Sequence, residues 1–159
     1  MKLLIMRHGE AQMAAQSDFA RPLTSHGIGQ TKQTADWLLN SNLLPTTGID
    51  LVLVSPYLRT RQTFTQLNQH IQFNDVEYSQ DIIPSSVASL AHDYIDAKIS
   101  ILDDPRCVML VSHMPFVSYL IDELCQKMIS PLFATGSLAV IEYDPSCSTG
   151  QLSAHFQGI

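Results

Sequence analysis

Three short aliphatic runs constrain this chain more than any other feature, and each stops abruptly at a polar or charged residue: KLLIM before Arg7, DLVLV before Ser55 and CVMLV before Ser112. None alternates polar with apolar residues, as a strand with one wet face does, and none is long enough for a helix. Each therefore reads as a strand covered on both faces. Covering both faces of neighbouring strands takes crossover helices, which makes the sheet mainly parallel. The intervening segments supply those helices. RPLTSHGIGQTKQTADWLLN opens with Pro22 and a capping threonine or serine, spaces Ile28, Ala35, Leu38 and Leu39 along one face, and runs out near Asn40 to Asn42. Pro56 stops the second strand, and a helix is expected from about Tyr57 to His70. VEYS makes a short third strand, QDIIPSS a loop, and SVASLAHDYIDAKISIL a helix that turns Val87, Leu90, Tyr94, Ile95 and either Ile101 or Leu102 inward. PFVSYLIDELCQKM gives a helix opened by Pro115, SLAVIEY a strand, and QLSAHF an edge strand returning antiparallel after the DPSCSTG turn. The expected fold is α/β, a single domain over residues 1–159. It is a three-layer sandwich with a mainly parallel central sheet, helices on both faces and one antiparallel edge strand.

Composition narrows what such a domain can do. A net charge of −6 argues against a general nucleic-acid or membrane-surface binder, which would carry a dominant basic patch, so any anion site must be local. The first apolar run is broken at Arg7, too short for a signal-peptide core or a membrane span, and a cytoplasmic protein is expected. Three cysteines (Cys107, Cys125 and Cys147) suit neither a disulfide framework nor a zinc knuckle and read as small core residues. No Gly-x-Gly-x-x-Gly or Gly-Lys-Ser/Thr pattern occurs, so no nucleotide cofactor is called for. Heptads are absent as well, and a monomer is the default.

In open α/β sheets, ligands bind beyond the carboxyl ends of the strands. The first strand ends in Arg7-His8-Gly9-Glu10, the second leads through Ser55-Pro56 to Arg59 and Arg61, and the strand CVMLVS is followed by His113. Two histidines and at least two arginines thus converge from three separated segments. Such a set suits a phosphoryl group: guanidinium forks match its oxygens, imidazole can attack phosphorus or donate to oxygen, and Gly9 lets backbone N–H groups approach closely. None of this chemistry asks for a metal. Arg59 sits at a helix start, where a positive side chain opposes the helix dipole, so anion binding explains it better than stability does. Arg61, two residues on, faces elsewhere and reads as a surface charge. His26, His70, His92 and His155 read as surface or hydrogen-bonding residues. Ser55, Ser112 and Ser137 lack a Gly-x-Ser-x-Gly elbow and read as strand-end hydrogen-bonding groups.

Three motifs in order, LLIMRHGEA, VSPYLRTRQT and LVSHMPFV, resemble the histidine phosphatase superfamily, the phosphoglycerate-mutase-like enzymes with Arg-His-Gly after the first strand. Within it, IMRHG.A, SD..RPLT..G, VLVSP.LR..QT and SH.P.V.YL..ELC are similar in wording and spacing to the small bacterial phosphohistidine phosphatases, across nearly the whole chain. The resemblance implies that His8 is a nucleophile forming a covalent phosphohistidine. Arg7, Arg59 and His113 would hold the phosphoryl oxygens, and a backbone carbonyl would occupy the second nitrogen of His8. It places Asp81 where larger members carry a general acid, and it sets Asp18 and Arg21, in SDFARPLT, at the pocket rim as substrate contacts. Glu10 is the alternative carboxylate and reads as a solvated first-turn residue.

The stretch SQDIIPSS is too short for the lid of larger members, which leaves a pocket open to a side chain on a folded protein. An imidazole leaving group also asks less of an acid than an alkoxide does. The implied substrate is thus a phosphorylated histidine-phosphotransfer domain or similar phosphocarrier protein, hydrolysed without metal or cofactor. Two alternatives stay open: a small-molecule phosphomonoesterase or mutase, and a phosphate-binding adaptor without turnover.

Overall fold

The structure, a computed structural model, describes residues 1–158. In chain order the elements are β1 (Lys2–Arg7), α1 (Ser25–Asn40), β2 (Leu51–Val54), α2 (Leu58–Leu67), β3 (Val76–Tyr78), a 3-10 turn (Gln80–Ile82), α3 (Ala88–Ser100), β4 (Cys107–Ser112), α4 (Phe116–Cys125), β5 (Leu138–Asp144) and β6 (Thr149–Phe156). The strands form one sheet in the order β3-β2-β4-β1-β5-β6. β1 and β2 both pair parallel with β4, and β3 pairs parallel with β2.

The aliphatic runs are strands for the expected reason. Successive side chains point to opposite faces, and both faces are covered. Leu3, Ile5, Leu51, Leu53, Val108 and Leu110 pack against α3 and α4, whereas Leu4, Met6, Val52, Val54, Met109 and Val111 pack against α1 and α2. Each such fully buried side chain stabilises the fold by roughly 1.5–3 kcal/mol. The result is a three-layer α/β sandwich.

β6 is an edge strand and pairs antiparallel with β5. Its hairpin partner β5 is antiparallel to β1 too, so β5 alone runs against the rest of the sheet. This reversal brings the start of β5 to the carboxyl ends of β1 and β4. There the N–H of Arg7 donates to the Ser137 carbonyl (3.0 Å), the N–H of Gly136 to the His8 carbonyl (2.9 Å), and the N–H of His8 to the Ser112 carbonyl (3.1 Å).

Two helices are rotated from the faces their apolar spacing suggests. α1 buries Gly27, Gln30, Thr31, Thr34, Ala35 and Leu38, while Ile28 and Leu39 are 42% and 50% exposed. The polar residues are turned inward because the site side of the fold satisfies them. Gln30 accepts from the Glu10 N–H (2.8 Å), and Thr34 donates to the Gly136 carbonyl (2.7 Å). α3 buries Ala91, His92, Ile95 and Ile99, leaving Val87, Leu90 and Ile101 exposed, with Tyr94 and Leu102 only partly covered. His92 bonds the Tyr143 hydroxyl at 2.8 Å across the layer, a contact compatible with that rotation. α2 ends at Leu67, short of His70. Cys107 and Cys125 are core residues as expected, but Cys147 is exposed in the β5–β6 turn. Among the described residues no helix is long and apolar enough to cross a membrane.

Candidate active site

His8 leaves β1 at the centre of the sheet and is 6% exposed. Its Nδ1 lies 2.7 Å from the Gly9 carbonyl, which can only accept, so Nδ1 carries the proton. Nε2 then bears a lone pair, and the Nε–H of Arg59 donates to it at 3.2 Å. The two contacts agree on one tautomer. Burial, together with the nearby charges of Arg59, Arg7 and Arg21, pushes the His8 pKa down to about 3 against the opposing pull of the Gly9 carbonyl. The ring is neutral at physiological pH.

Arg59 stands in the first turn of α2 and is 4% exposed. The N-terminal dipole of a helix repels a cation, so its position depends on other contacts. Its Nη1 donates to the Asp18 carbonyl (2.7 Å) and its Nη2 to the Asp18 carboxylate (3.3 Å), while its guanidinium lies 4.9 Å over the Tyr57 ring. Asp18 in turn bonds Arg21 at 2.9 Å, and Arg21 donates through Nε to the Gln12 carbonyl at 2.7 Å. The loop between β1 and α1 thus carries both rim residues and ties one of them directly to Arg59. Arg7 donates through Nη1 to the Phe133 carbonyl (2.7 Å), and its Nε is buried without a partner among the described residues. Burial and the neighbouring Arg59 lower its pKa, as burial lowers that of Arg59, yet both guanidinium groups stay charged.

His113 follows β4, 1% exposed, with its ring 5.3 Å from that of His8 and 5.0 Å from Tyr57. Its Nε2 meets the Ser55 hydroxyl at 2.7 Å, and its Nδ1 is buried without a partner among the described residues. Burial first, then the charges of His8 and the arginines, pushes its pKa down to about 2. Two nitrogens without a partner among the described residues, Arg7 Nε and His113 Nδ1, beside two guanidinium groups make a set of donors suited to an anion. Each would otherwise cost about 1–3 kcal/mol as an unsatisfied buried group.

The structure brings Arg7, His8, Arg59 and His113 together and sets Asp18 and Arg21 at their edge. Asp81 is placed differently. The 3-10 turn bearing it is docked on the same strand end, since Ser112 donates to the Ile82 carbonyl at 2.6 Å, but the Asp81 carboxylate is exposed and accepts from Ser79 (3.3 Å). No hydrogen bond among the described residues joins it to the cluster. Glu10 is not free in solvent: it accepts from the Thr24 hydroxyl at 2.8 Å, at the start of α1. Gly9 also serves otherwise than expected. Its N–H is committed to Thr63 Oγ1 (3.1 Å), and a Cβ on it would lie 2.5 Å from the Gly27 carbonyl oxygen, so glycine is needed for the chain to pass α1. Arg61 is exposed beside Tyr78, and His26 and His70 are exposed. His155 packs on Phe133, and His92 lies in its own network with Tyr143.

Sequence reasoning missed Tyr57, Thr63 and the Phe133 carbonyl. Tyr57 and Thr63 both lie within VSPYLRTRQT and could have been read from the helical spacing around Arg59. Phe133 has no local signal, because only the reversal of β5 brings its segment to the site.

Comparison with known proteins agrees with this geometry. A family model described as the histidine phosphatase superfamily (branch 1) matches residues 3–83. The phosphohistidine phosphatase SixA of Escherichia coli is 33% identical over 147 residues, covering 92% of this chain and 88% of that protein. A SixA homolog of Haemophilus influenzae is 35% identical over 150 residues, covering 91% and 89%. The structure of the protein histidine phosphatase SixA complexed with tungstate superposes with a TM-score of 0.89 at 32% identity, covering 99% of this chain and 97% of that one.

Proposed function

This chain belongs to the histidine phosphatase superfamily, and from that premise we propose that it is a phosphohistidine phosphatase working through a covalent enzyme intermediate. The observation that carries the mechanism is the state of His8: neutral, protonated at Nδ1 by virtue of the Gly9 carbonyl, with the Nε2 lone pair turned to the cations. That nitrogen attacks phosphorus and forms a P–N bond while the bond to the substrate imidazole breaks. The electron pair goes to the leaving nitrogen, which takes up a proton. Water then attacks the phosphorylated His8, releases inorganic phosphate and restores the ring. Splitting one displacement into two lowers each barrier.

Arg59 gives up its bond to Nε2 as the phosphoryl group arrives and donates to an oxygen instead. Arg7 and His113 supply their orphaned N–H groups to the others, so that charge developing in each transition state meets fixed donors. Asp18 holds Arg59 and Arg21 at the rim. Asp81 is the carboxylate assigned to the leaving group, and its exposed position suits a substrate whose departure needs little acid. The substrate we assign is a phosphohistidine on a histidine-phosphotransfer or phosphocarrier protein, met by a cytoplasmic monomer. A small-molecule phosphomonoesterase would want a carboxylate held against the cluster, and Glu10 and Asp81 are bonded elsewhere.

The test is direct. His8→Ala should lose turnover and acid-labile labelling by phosphate while unfolding like the parent at neutral pH, and a phosphohistidine protein should be hydrolysed far faster than a panel of sugar phosphates. Normal turnover in the variant sinks the covalent route. Preference for the sugars reverses the substrate assignment.

A further inference from the structure

Ser55 stands between β2 and α2, fully buried, and its hydroxyl has His113 Nε2, 2.7 Å away, as its one partner among the described residues. A hydroxyl always carries a proton, and a buried one needs an acceptor for it. The Thr60 hydroxyl does not provide one, since its bonds are to the backbone carbonyls of Ser55 and Tyr57 and none joins it to the Ser55 hydroxyl. His113 Nε2 is therefore the acceptor. A neutral imidazole that accepts at Nε2 carries its proton at Nδ1, and Nδ1 is the buried ring nitrogen left without a partner among the described residues.

We propose that Ser55 is a positioning residue that selects the Nδ1–H tautomer of His113 and so turns its unpartnered nitrogen into a hydrogen-bond donor for an anionic phosphoryl oxygen. The two histidines then share one protonation pattern, set by two different acceptor–donor relations. A backbone carbonyl accepts from the Nδ1–H of His8 and leaves Nε2 free as the nucleophile, whereas a hydroxyl donates to Nε2 of His113 and fixes Nδ1–H as the clamp. Without Ser55 the proton of His113 would be free to sit at Nε2, and Nδ1 would meet an incoming oxygen with a lone pair. Lone pair against lone pair repels.

This role rests on the phosphoryl-transfer reading for its purpose but not for its test. The ring nitrogens of 15N-labelled protein, observed through long-range proton–nitrogen correlation at neutral pH, should show His113 with a pyrrole-type Nδ1 and a pyridine-type Nε2. Wild-type His113 protonated at Nε2 overturns the proposal without any variant. In Ser55→Ala, the His113 pattern should move toward Nε2–H while that of His8 stays, and affinity for inorganic phosphate should fall roughly tenfold, the worth of one buried donor. Ser55→Thr, which keeps the hydroxyl, should restore both. An alanine variant that folds but keeps both the parent tautomer and the parent phosphate affinity overturns the proposal. A folded protein with the expected tautomers but no phosphatase activity would instead count against the proposed function and leave this role standing.

Discussion

At His8, chemistry is decided by two neighbours with fixed roles, a carbonyl that can only accept and a guanidinium that can only donate. The same logic places the carboxylates. Asp81 is bonded to Ser79 and exposed, with no hydrogen bond among the described residues to the cluster, so the role proposed for it is proton transfer and not shaping the cluster. Asp81→Asn should therefore slow hydrolysis of phosphate esters by about tenfold or more while changing phosphohistidine hydrolysis only a few-fold, because the poorer leaving group depends more on the acid. Parallel rate measurements on an aryl or alkyl phosphate and on a phosphohistidine substrate check it, and equal losses would make Asp81 structural. Arg7, His8, Arg59 and His113 were legible because each adjoins a strand or helix end flanked by recognisable neighbours. The protonation of His8 was expected from the resemblance, its carbonyl partner being that of the adjacent Gly9, but the partners of Arg7, Arg59 and His113 were not legible, since these depend on atoms contributed by Phe133, Asp18 and Ser55 from other parts of the chain.

Among the elements, α1 shows how strongly the site side of the fold dictates helix placement. Thr24 caps it by accepting from the Gly27 N–H at 2.9 Å, and Gly27 in turn lies against Glu10, where an added Cβ would come within 2.1 Å of a backbone oxygen. Thr24→Ala should cost about 1 kcal/mol of stability, the usual loss of a cap, with the site geometry kept. Gly27→Ala should cost more, on the order of 2–3 kcal/mol by overpacking against backbone, and should weaken inorganic phosphate binding because the chain carrying Arg7 and His8 is pushed aside. Urea unfolding and phosphate titration of both variants separate the two outcomes. The apolar spacing of α1 had put Ile28 and Leu39 inward, and the buried threonines displaced them. A polar residue enters a core when a specific partner waits for it, and no periodicity in the sequence announces that partner.

On the scale of the whole molecule, the site is bought with stability at low pH. His8 and His113 are held neutral with pKa values of about 3 and about 2, against an ordinary 6.5 in the unfolded chain. As pH falls below 6.5 the unfolded state takes up protons that the folded state refuses, so stability is full above that value and declines on acidification toward 3. Each ring contributes a slope of up to about 1.4 kcal/mol per pH unit. Urea midpoints should drop between pH 7 and pH 5, and His8→Ala should flatten the profile; a parent midpoint that rises on acidification would contradict the depressed values. The sequence by itself determined the strands, the layer architecture and the residues that meet at the strand ends, because aliphatic runs and strand-end motifs are local and each carries its meaning within a few residues. Only the tertiary structure decided which way the helices face, which nitrogen of His113 meets Ser55 and which carboxylates stand outside the cluster. Those properties belong to contacts between distant segments, and the reversed β5, which delivers Phe133 and Ser137 to the site, is the plainest case: direction within a sheet is set by pairing, not by the composition of the strand.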